Sequence, residues 1–235
     1  MQKDFKYKFE RIEKKFWMRK EQYEALLPLF DERFEKDSYG EALICSIYYD
    51  TPDFYLIRRS IERPFFKEKI RIRSYGLPED GTPVFLEIKR KLDGIGYKRR
   101  MRLSFKDAKA LLKGQNIGSD NPQIEKEILE LVKRYNPVPA VFLSYKRYAM
   151  TGKENPDLRI TIDRDLMFRR ERVEDPDDTG LSPIMDDETL VLMEIKAVGS
   201  IPLWMTEELS RLHIYQAPFS KIGTCYVKHI AGENK

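Results

Sequence analysis

Charged and aliphatic side chains alternate in segment after segment of this chain, with a period of two that belongs to β-strands. In Phe9 to Met18, Arg11, Glu13 and Lys15 fall on one face, and Ile12, Phe16 and Met18 on the other. Tyr23, Leu26, Leu27 and Phe30 then repeat at helical spacing in KEQYEALLPLF. The strand ALICSIYYD follows, and Thr51-Pro52 predicts the N-cap and first turn of a short helix through Arg59. Lys67 to Tyr75 and Val84 to Lys91 read as strands joined by the turn LPEDGTP. Arg71 and Arg73 alternate with Ile70 and Ile72, and Glu87 and Lys89 with Leu86 and Ile88.

A Gly94-Ile95-Gly96 turn leads into the basic strand YKRRMRLSF. Next comes a helix with Ser104 as N-cap, Asp107 in the capping-box position and Gly114 just past its end. Asn121-Pro122 predicts another, with Ile124, Ile128, Leu131, Val132 and Tyr135 on one side. Two strands follow, AVFLSYKRYAM and LRITIDRDL; in the second, Arg159, Thr161 and Asp163 oppose Leu158, Ile160 and Ile162. Glu171 to Glu188 is acidic and proline-bearing, a surface excursion rather than a domain boundary. The strand LVLMEIKAV carries Glu194 and Lys196 on one face, and helices from about Pro202 to His213 and after Ser220 complete the expected α+β fold.

A strand charged on one face is ordinary when that face meets water. The pair Glu-x-Lys, however, recurs in the same phase in three widely separated strands, as Glu13/Lys15, Glu87/Lys89 and Glu194/Lys196. The alternative is a closed antiparallel barrel, helices outside and charges turned inward. Its inward residues would be Lys15, Arg71, Arg73, Lys89, Arg147, Arg159 and Lys196 against Glu13, Glu87, Glu194 and Asp163. An interior so dominated by cations has to stay wet or bind a polyanion, and arginine offers phosphate bidentate contacts. Carboxylates persisting among phosphates point to a hard divalent cation, which makes Glu13, Glu87 and Glu194 candidate metal ligands.

Composition narrows the class further. The 235 residues are 41% hydrophobic and 35% charged, with 43 basic and 39 acidic side chains, so disorder is excluded and a strongly basic surface can arise only by segregation. The length suits a single domain spanning 1–235. Two cysteines, Cys45 and Cys225, and two histidines, His213 and His229, fit buried structural positions better than zinc or thiol chemistry. The N-terminus is charged from its start, and no stretch reaches about 18 uninterrupted apolar residues, so the expected location is cytoplasmic.

The segments FERIEKKFWM, YYDTPDF, KIRIRSYG, FLEIKRK, YKRR, SYKRYAM, LRITIDRDL, LMEIKAV and PFSKIGTCY, in that order over nearly the whole chain, resemble the VTC polyphosphate-polymerase domain, a branch of the triphosphate tunnel metalloenzymes. The resemblance implies a tunnel in which a nucleoside triphosphate, bound with Mn²⁺ or Mg²⁺, donates its γ-phosphate to a growing polyphosphate chain. It implies catalytic, phosphate-gripping roles for Lys15, Arg71, Arg73, Lys89, Arg147, Arg159 and Lys221, and a metal-holding role for Glu194. Lys196, Ser220, Tyr145 and Arg100 are expected to contact substrate, Ser220 by aiming a helix N-terminus at phosphate. Which of Lys98, Arg99 and Arg100 faces inward stays open.

Two departures from the family pattern matter. Hydrolytic branches begin with Glu-x-Glu-x-Lys, and here Arg11 stands at the first glutamate position, which favours chain transfer over attack by water. Eukaryotic VTC proteins carry a regulatory domain and membrane spans with no counterpart expected in these 235 residues, so coupling to translocation is expected to come from a separate membrane protein or to be absent. The competing readings are a metal-dependent triphosphatase of the same fold and a catalytically silent polyanion-binding module. No nucleic-acid partner is expected, since tyrosines such as Tyr75, Tyr97 and Tyr145 form no stacking-platform motif.

Overall fold

The computed structural model describes residues 11–62 and 64–232, leaving Phe9 and Glu10 of the expected first strand outside the described residues. Strand β1 (Arg11–Met18) precedes helix α1 (Lys20–Arg33), β2 (Phe34–Asp50) and the short α2 (Tyr55–Ile61). Strands β3 (Phe66–Tyr75), β4 (Pro83–Leu92) and β5 (Ile95–Ser104) form a meander, followed by α3 (Phe105–Leu112) and α4 (Pro122–Tyr135). Strands β6 (Val138–Gly152), β7 (Arg159–Arg169), the two-residue β8 (Ser182–Pro183) and β9 (Val191–Val198) lead to α5 (Leu203–Arg211) and α6 (Lys221–His229).

The hydrogen-bonded order is β1-β9-β7-β6-β2-β3-β4-β5, with β8 on β7. Among the described residues no ladder joins β5 to β1, so the pairings draw an antiparallel sheet with helices and not the closed barrel expected from the sequence. The chain divides into two compact units, one of residues 1–42, 146–164 and 187–219, the other of residues 43–145, 165–186 and 220–235.

In the first unit β1 and β7 flank β9. Glu13 lies opposite Lys196 and Lys15 opposite Glu194, while Arg159 and Thr161 meet the same two β9 residues from the other side. The reverse face is apolar: Phe16, Met18, Ile160, Ile162, Met193 and Ile195 pack against Leu26 and Phe30 of α1 and Met205 and Leu209 of α5. The period-two pattern is thus realised, with greasy side chains toward helices and charges on the other side.

The second unit repeats this rule on β2 to β5. Ile47, Ile70, Ile72, Leu86, Ile88 and Met101 face Phe105 and Leu111 of α3 and Ile128 and Leu131 of α4. On the opposite face two rows cross the strands. One runs Tyr48, Arg71, Glu87, Arg100, and the other Lys69, Lys89, Lys98. Ser104 and Asn121 cap α3 and α4 as anticipated, accepting from the Asp107 and Ile124 N–H groups.

Two local features differ from the sequence expectation. The β4–β5 turn is Asp93-Gly94, both at positive φ (45° and 80°), so Ile95 and Gly96 already belong to β5; a two-residue hairpin turn of this type matches the twist of its strands. Helix α2 starts at Tyr55 after Phe54 adopts a left-handed conformation, later than Thr51-Pro52 suggests. Its exposed N–H groups are satisfied from upstream: the buried Asp50 carboxylate accepts from Thr51, Leu56 and Ile57 at 2.8 Å each, and the Thr51 hydroxyl accepts from Tyr55. Burial raises the Asp50 pKa, and these backbone donors oppose the rise. Asp50→Ala, which strands three buried donors, should lower unfolding free energy by about 1–3 kcal/mol in urea denaturation; an unchanged midpoint would show that water replaces the carboxylate without cost.

Candidate functional site

The first unit holds two carboxylates interleaved with two lysines. Lys15 Nζ lies 3.4 Å from Glu13 Oε1, 3.7 Å from Glu194 Oε2, and 3.1 Å from the Phe219 carbonyl oxygen, to which it donates. Lys196 Nζ lies 2.7 Å from Glu194 Oε1 and 3.9 Å from Glu13 Oε2. Burial alone would raise the pKa of Glu194, but Lys196 first, then Lys15 and Arg147, outweigh it and bring the carboxyl down to about 2. Arg147 holds Asp163 through two parallel hydrogen bonds of 2.6 and 2.7 Å. Thr161, across the ladder from Glu194, has a buried hydroxyl with no partner among the described residues. Arg159 stands on the same face but is exposed, 3.4 Å from Asp37.

The second unit centres on Glu87, which is fully buried. Its Oε2 accepts from Arg71 Nε and Nη2 at 2.8 and 2.6 Å; its Oε1 accepts from Arg100 Nε at 2.7 Å and lies 2.6 Å from Lys98 Nζ. Burial would raise its pKa, but Arg71, Lys98 and Arg73 hold it far below the usual carboxylate range. Expected among the metal ligands, Glu87 is instead the counter-ion that lets cations assemble around it. Arg71 also donates to the Tyr48 hydroxyl at 3.1 Å, and Arg73 to the Tyr145 hydroxyl at 3.0 Å. Lys221 Nζ sits 4.4 Å from the centroid of the Tyr145 ring. Ser220 caps α6 by accepting from Gly223 N–H, and its hydroxyl also receives Lys69 Nζ at 3.3 Å.

Lys89 reaches solvent, yet it is desolvated enough for its pKa to fall to about 8, with the Arg71 and Arg73 charges adding to the fall. Cations crowded on one sheet face set up a positive local field. Tyr48 reports that field: burial would raise its phenol, but Arg71, then Lys69, Arg73 and Lys89, outweigh it and bring the pKa down to about 7.

The strand registers settle the open orientation. Lys98 and Arg100 share the Glu87 face, and Arg99 lies on the other, 3.4 Å from Glu127. Tyr48 and Lys69 were not anticipated. Lys69 carried a readable signal, being in phase with Arg71 and Arg73 in KEKIRIRSY. Tyr48 carried a fainter one, sharing its phase in ALICSIYYD with Ser46 and Asp50 against Leu43, Cys45 and Ile47. The side chain of Arg11 lies outside the described residues.

These features define an α+β protein whose antiparallel sheet reserves one face for clustered cations. Residues 10–229 match the family model of the VTC domain, and the chain belongs to that family. It is 30% identical over 154 residues to vacuolar transporter chaperone complex subunit 4 of Trypanosoma brucei brucei (strain 927/4 GUTat10.1); the match takes in 52% of this chain and only 19% of that protein's length. A Bacillus halodurans crystal structure, described as a candidate adenylate cyclase, superimposes with a TM-score of 0.52 at 15% identity, over 89% of this chain and 93% of its own. A Hippeastrum protein described as an adenylyl cyclase with a dominant triphosphatase activity superimposes at 0.48, with 13% identity, over 93% and 96%. At such identity the likeness to the Bacillus structure shows the fold alone.

Two predictions follow from the charge arrangement. A carboxylate whose folded pKa lies below its unfolded value stabilises the fold above the unfolded value, and that contribution drains away as pH falls. Glu87→Gln should therefore cost about 3–5 kcal/mol at neutral pH, by leaving cations unpaired, and should flatten the acid limb of the stability profile below about pH 5. An acid limb as steep as that of the wild type would place the titration elsewhere. Ultraviolet difference absorbance should also detect one tyrosine ionising near neutrality, absent from Tyr48→Phe; retention of that phase in the variant would refute the assignment.

Proposed function

We propose that this chain is a polyphosphate polymerase that transfers the γ-phosphate of a nucleoside triphosphate, with ATP the expected donor, to the end of a polyphosphate chain. The observation that supports it best is the row Tyr48–Arg71–Glu87–Arg100 beside the row Lys69–Lys89–Lys98, a sheet face in which cations far outnumber their one buried carboxylate. Such a surface binds an anion that presents many oxygens at close spacing, and membership of the VTC family names the class of anion.

Phosphoryl transfer draws most of its rate from positioning and charge neutralisation. In the second unit Arg71, Arg73, Lys89, Lys221 and Arg100 grip phosphate oxygens, with Tyr145 and Ser220 beside them, and in the first unit Lys15, Arg147, Arg159 and Lys196 do the same. A terminal oxygen of the acceptor forms the new P–O bond at the γ-phosphorus. The bond from the γ-phosphorus to the β–γ bridging oxygen breaks, and the nucleoside diphosphate leaves with that electron pair. The attacking phosphate is already anionic, so no general base is needed.

Glu194 and Glu13, with the unpartnered Thr161 hydroxyl beside Glu194, form an oxygen donor set suited to a hard divalent cation. Glu194 and Glu13 would hold Mn²⁺ or Mg²⁺, with substrate phosphates completing its coordination, since the described residues contain no ready group of three metal-ligating side chains. Such an ion would neutralise charge on the transferring phosphates. Among the described residues no helix is long and apolar enough to cross a membrane, and a separate membrane protein is the proposed partner for delivering the product from the cytoplasmic side.

Purified protein given ATP and Mn²⁺ should accumulate long-chain polyphosphate and nucleoside diphosphate. Arg71→Ala and Glu194→Ala should each reduce the rate by about 10²-fold. Orthophosphate as the sole phosphate product would instead establish a triphosphatase. Binding of polyphosphate without turnover, unchanged in Glu194→Ala, would establish a silent binding module.

A further inference from the structure

The tip of the β4–β5 hairpin is apolar where the rest of its exposed surface is basic. Phe66 lies opposite Leu92, and Leu92 opposite Ile95, so these three side chains share one face at the end of the ladder, next to Tyr97 opposite Arg90. Phe65 adjoins them, its carbonyl accepting from the Asp93 N–H at 2.9 Å. All five are exposed, Phe65 to 68% and Ile95 to 60%. Exposed large apolar side chains gathered in one place mark a contact surface. Lys67 lies opposite Lys91 on the reverse face, in phase with Lys69 and Lys89, and a hairpin tip that meets a surface end-on presents both faces to it; on the apolar side the one acid of β3, Glu68, is buried and neutralised by Arg90. Asp93, in the turn itself, is the opposing charge.

Size and charge decide among the occupants. A standard protein interface takes about 800 Å² per partner over a broad, complementary surface, more than five side chains at a hairpin tip provide. A second copy of this chain would bring the same lysines against themselves. A lipid surface needs no shape match, and accepts aromatic and aliphatic groups at headgroup depth while its anionic lipids attract flanking lysines.

We propose that this hairpin tip, with Phe65 and Phe66 beside it, is a membrane-docking element that seats Leu92 and Ile95 in the headgroup region of an anionic bilayer, flanked by Lys67 and Lys91. Phe66, Leu92 and Ile95 lie on the face opposite the cation rows, so their docking role stands whether or not the chain makes polyphosphate.

The full chain should co-sediment with vesicles of equal parts phosphatidylcholine and phosphatidylserine, and much less with phosphatidylcholine alone. Leu92→Ser/Ile95→Ser should weaken that binding by about tenfold or more, with an unchanged thermal midpoint. Lys91→Gln should weaken it less, and make it less sensitive to salt. Because the cationic sheet face could itself attract anionic vesicles, Ile95→Trp supplies the separating readout. Its fluorescence should shift to the blue on the mixed vesicles, beyond any change from Trp17 and Trp204 in the wild type. Failure of the wild type to sediment, sedimentation unaffected by the double substitution, or a tryptophan at 95 that stays in a watery environment would each overturn the proposal.

Discussion

Guanidinium and ammonium groups crowded onto one face of a sheet repel one another, and Glu87 is the charge that makes the crowding tolerable. It reaches full burial because both oxygens are occupied, one by the Arg71 fork and the other by Arg100 and Lys98. Removing a carboxylate from water costs several kcal/mol unless its partners are well placed, and here three strands place them in one row. Arg71 is thereby fixed from one side by Glu87 and from another by Tyr48, leaving little rotamer freedom to lose when a ligand arrives. The face remains rich in cations after Glu87 is satisfied, and the lowered pKa of Tyr48, held down by Arg71, Lys69, Arg73 and Lys89, reflects what remains.

The first unit solves a related problem with the opposite balance. Glu13 and Glu194 alternate with Lys15 and Lys196 at separations from 2.7 to 3.9 Å, so each lysine is shared between the two carboxylates. Shared, partly exposed ion pairs are weak enough to exchange partners. Glu87, sealed among its cations, offers no such exchange. The buried Thr161 hydroxyl, without a partner among the described residues, lies at the same place.

Strand periodicity was legible because each ladder buries one face under helices. The phase of Glu13/Lys15, Arg71/Arg73, Glu87/Lys89 and Glu194/Lys196 could be read with no coordinates, and the registers honour it. Caps with a purely local cause, Ser104, Asn121 and Ser220, were equally readable. Helix α2 was misplaced at its start because its donors are satisfied by Asp50, at the end of the preceding strand, and by Phe54 in a left-handed turn. The turn at Asp93-Gly94 was displaced because two other glycine-bearing registers fit the same stretch.

The sequence by itself determined which side chains share a face, since a period of two leaves a strand residue only two directions and the aliphatic set must go to the core. It also determined the family, through an ordered set of motifs spread along the chain. Tertiary structure alone decided who neutralises whom. That Glu87 serves as a buried counter-ion, that Tyr48 belongs with the cations, and that Lys98 and Arg100 rather than Arg99 take the Glu87 face all depend on lateral register. Pairing across strands is set by packing and turn geometry at a distance, which no local pattern of residues encodes.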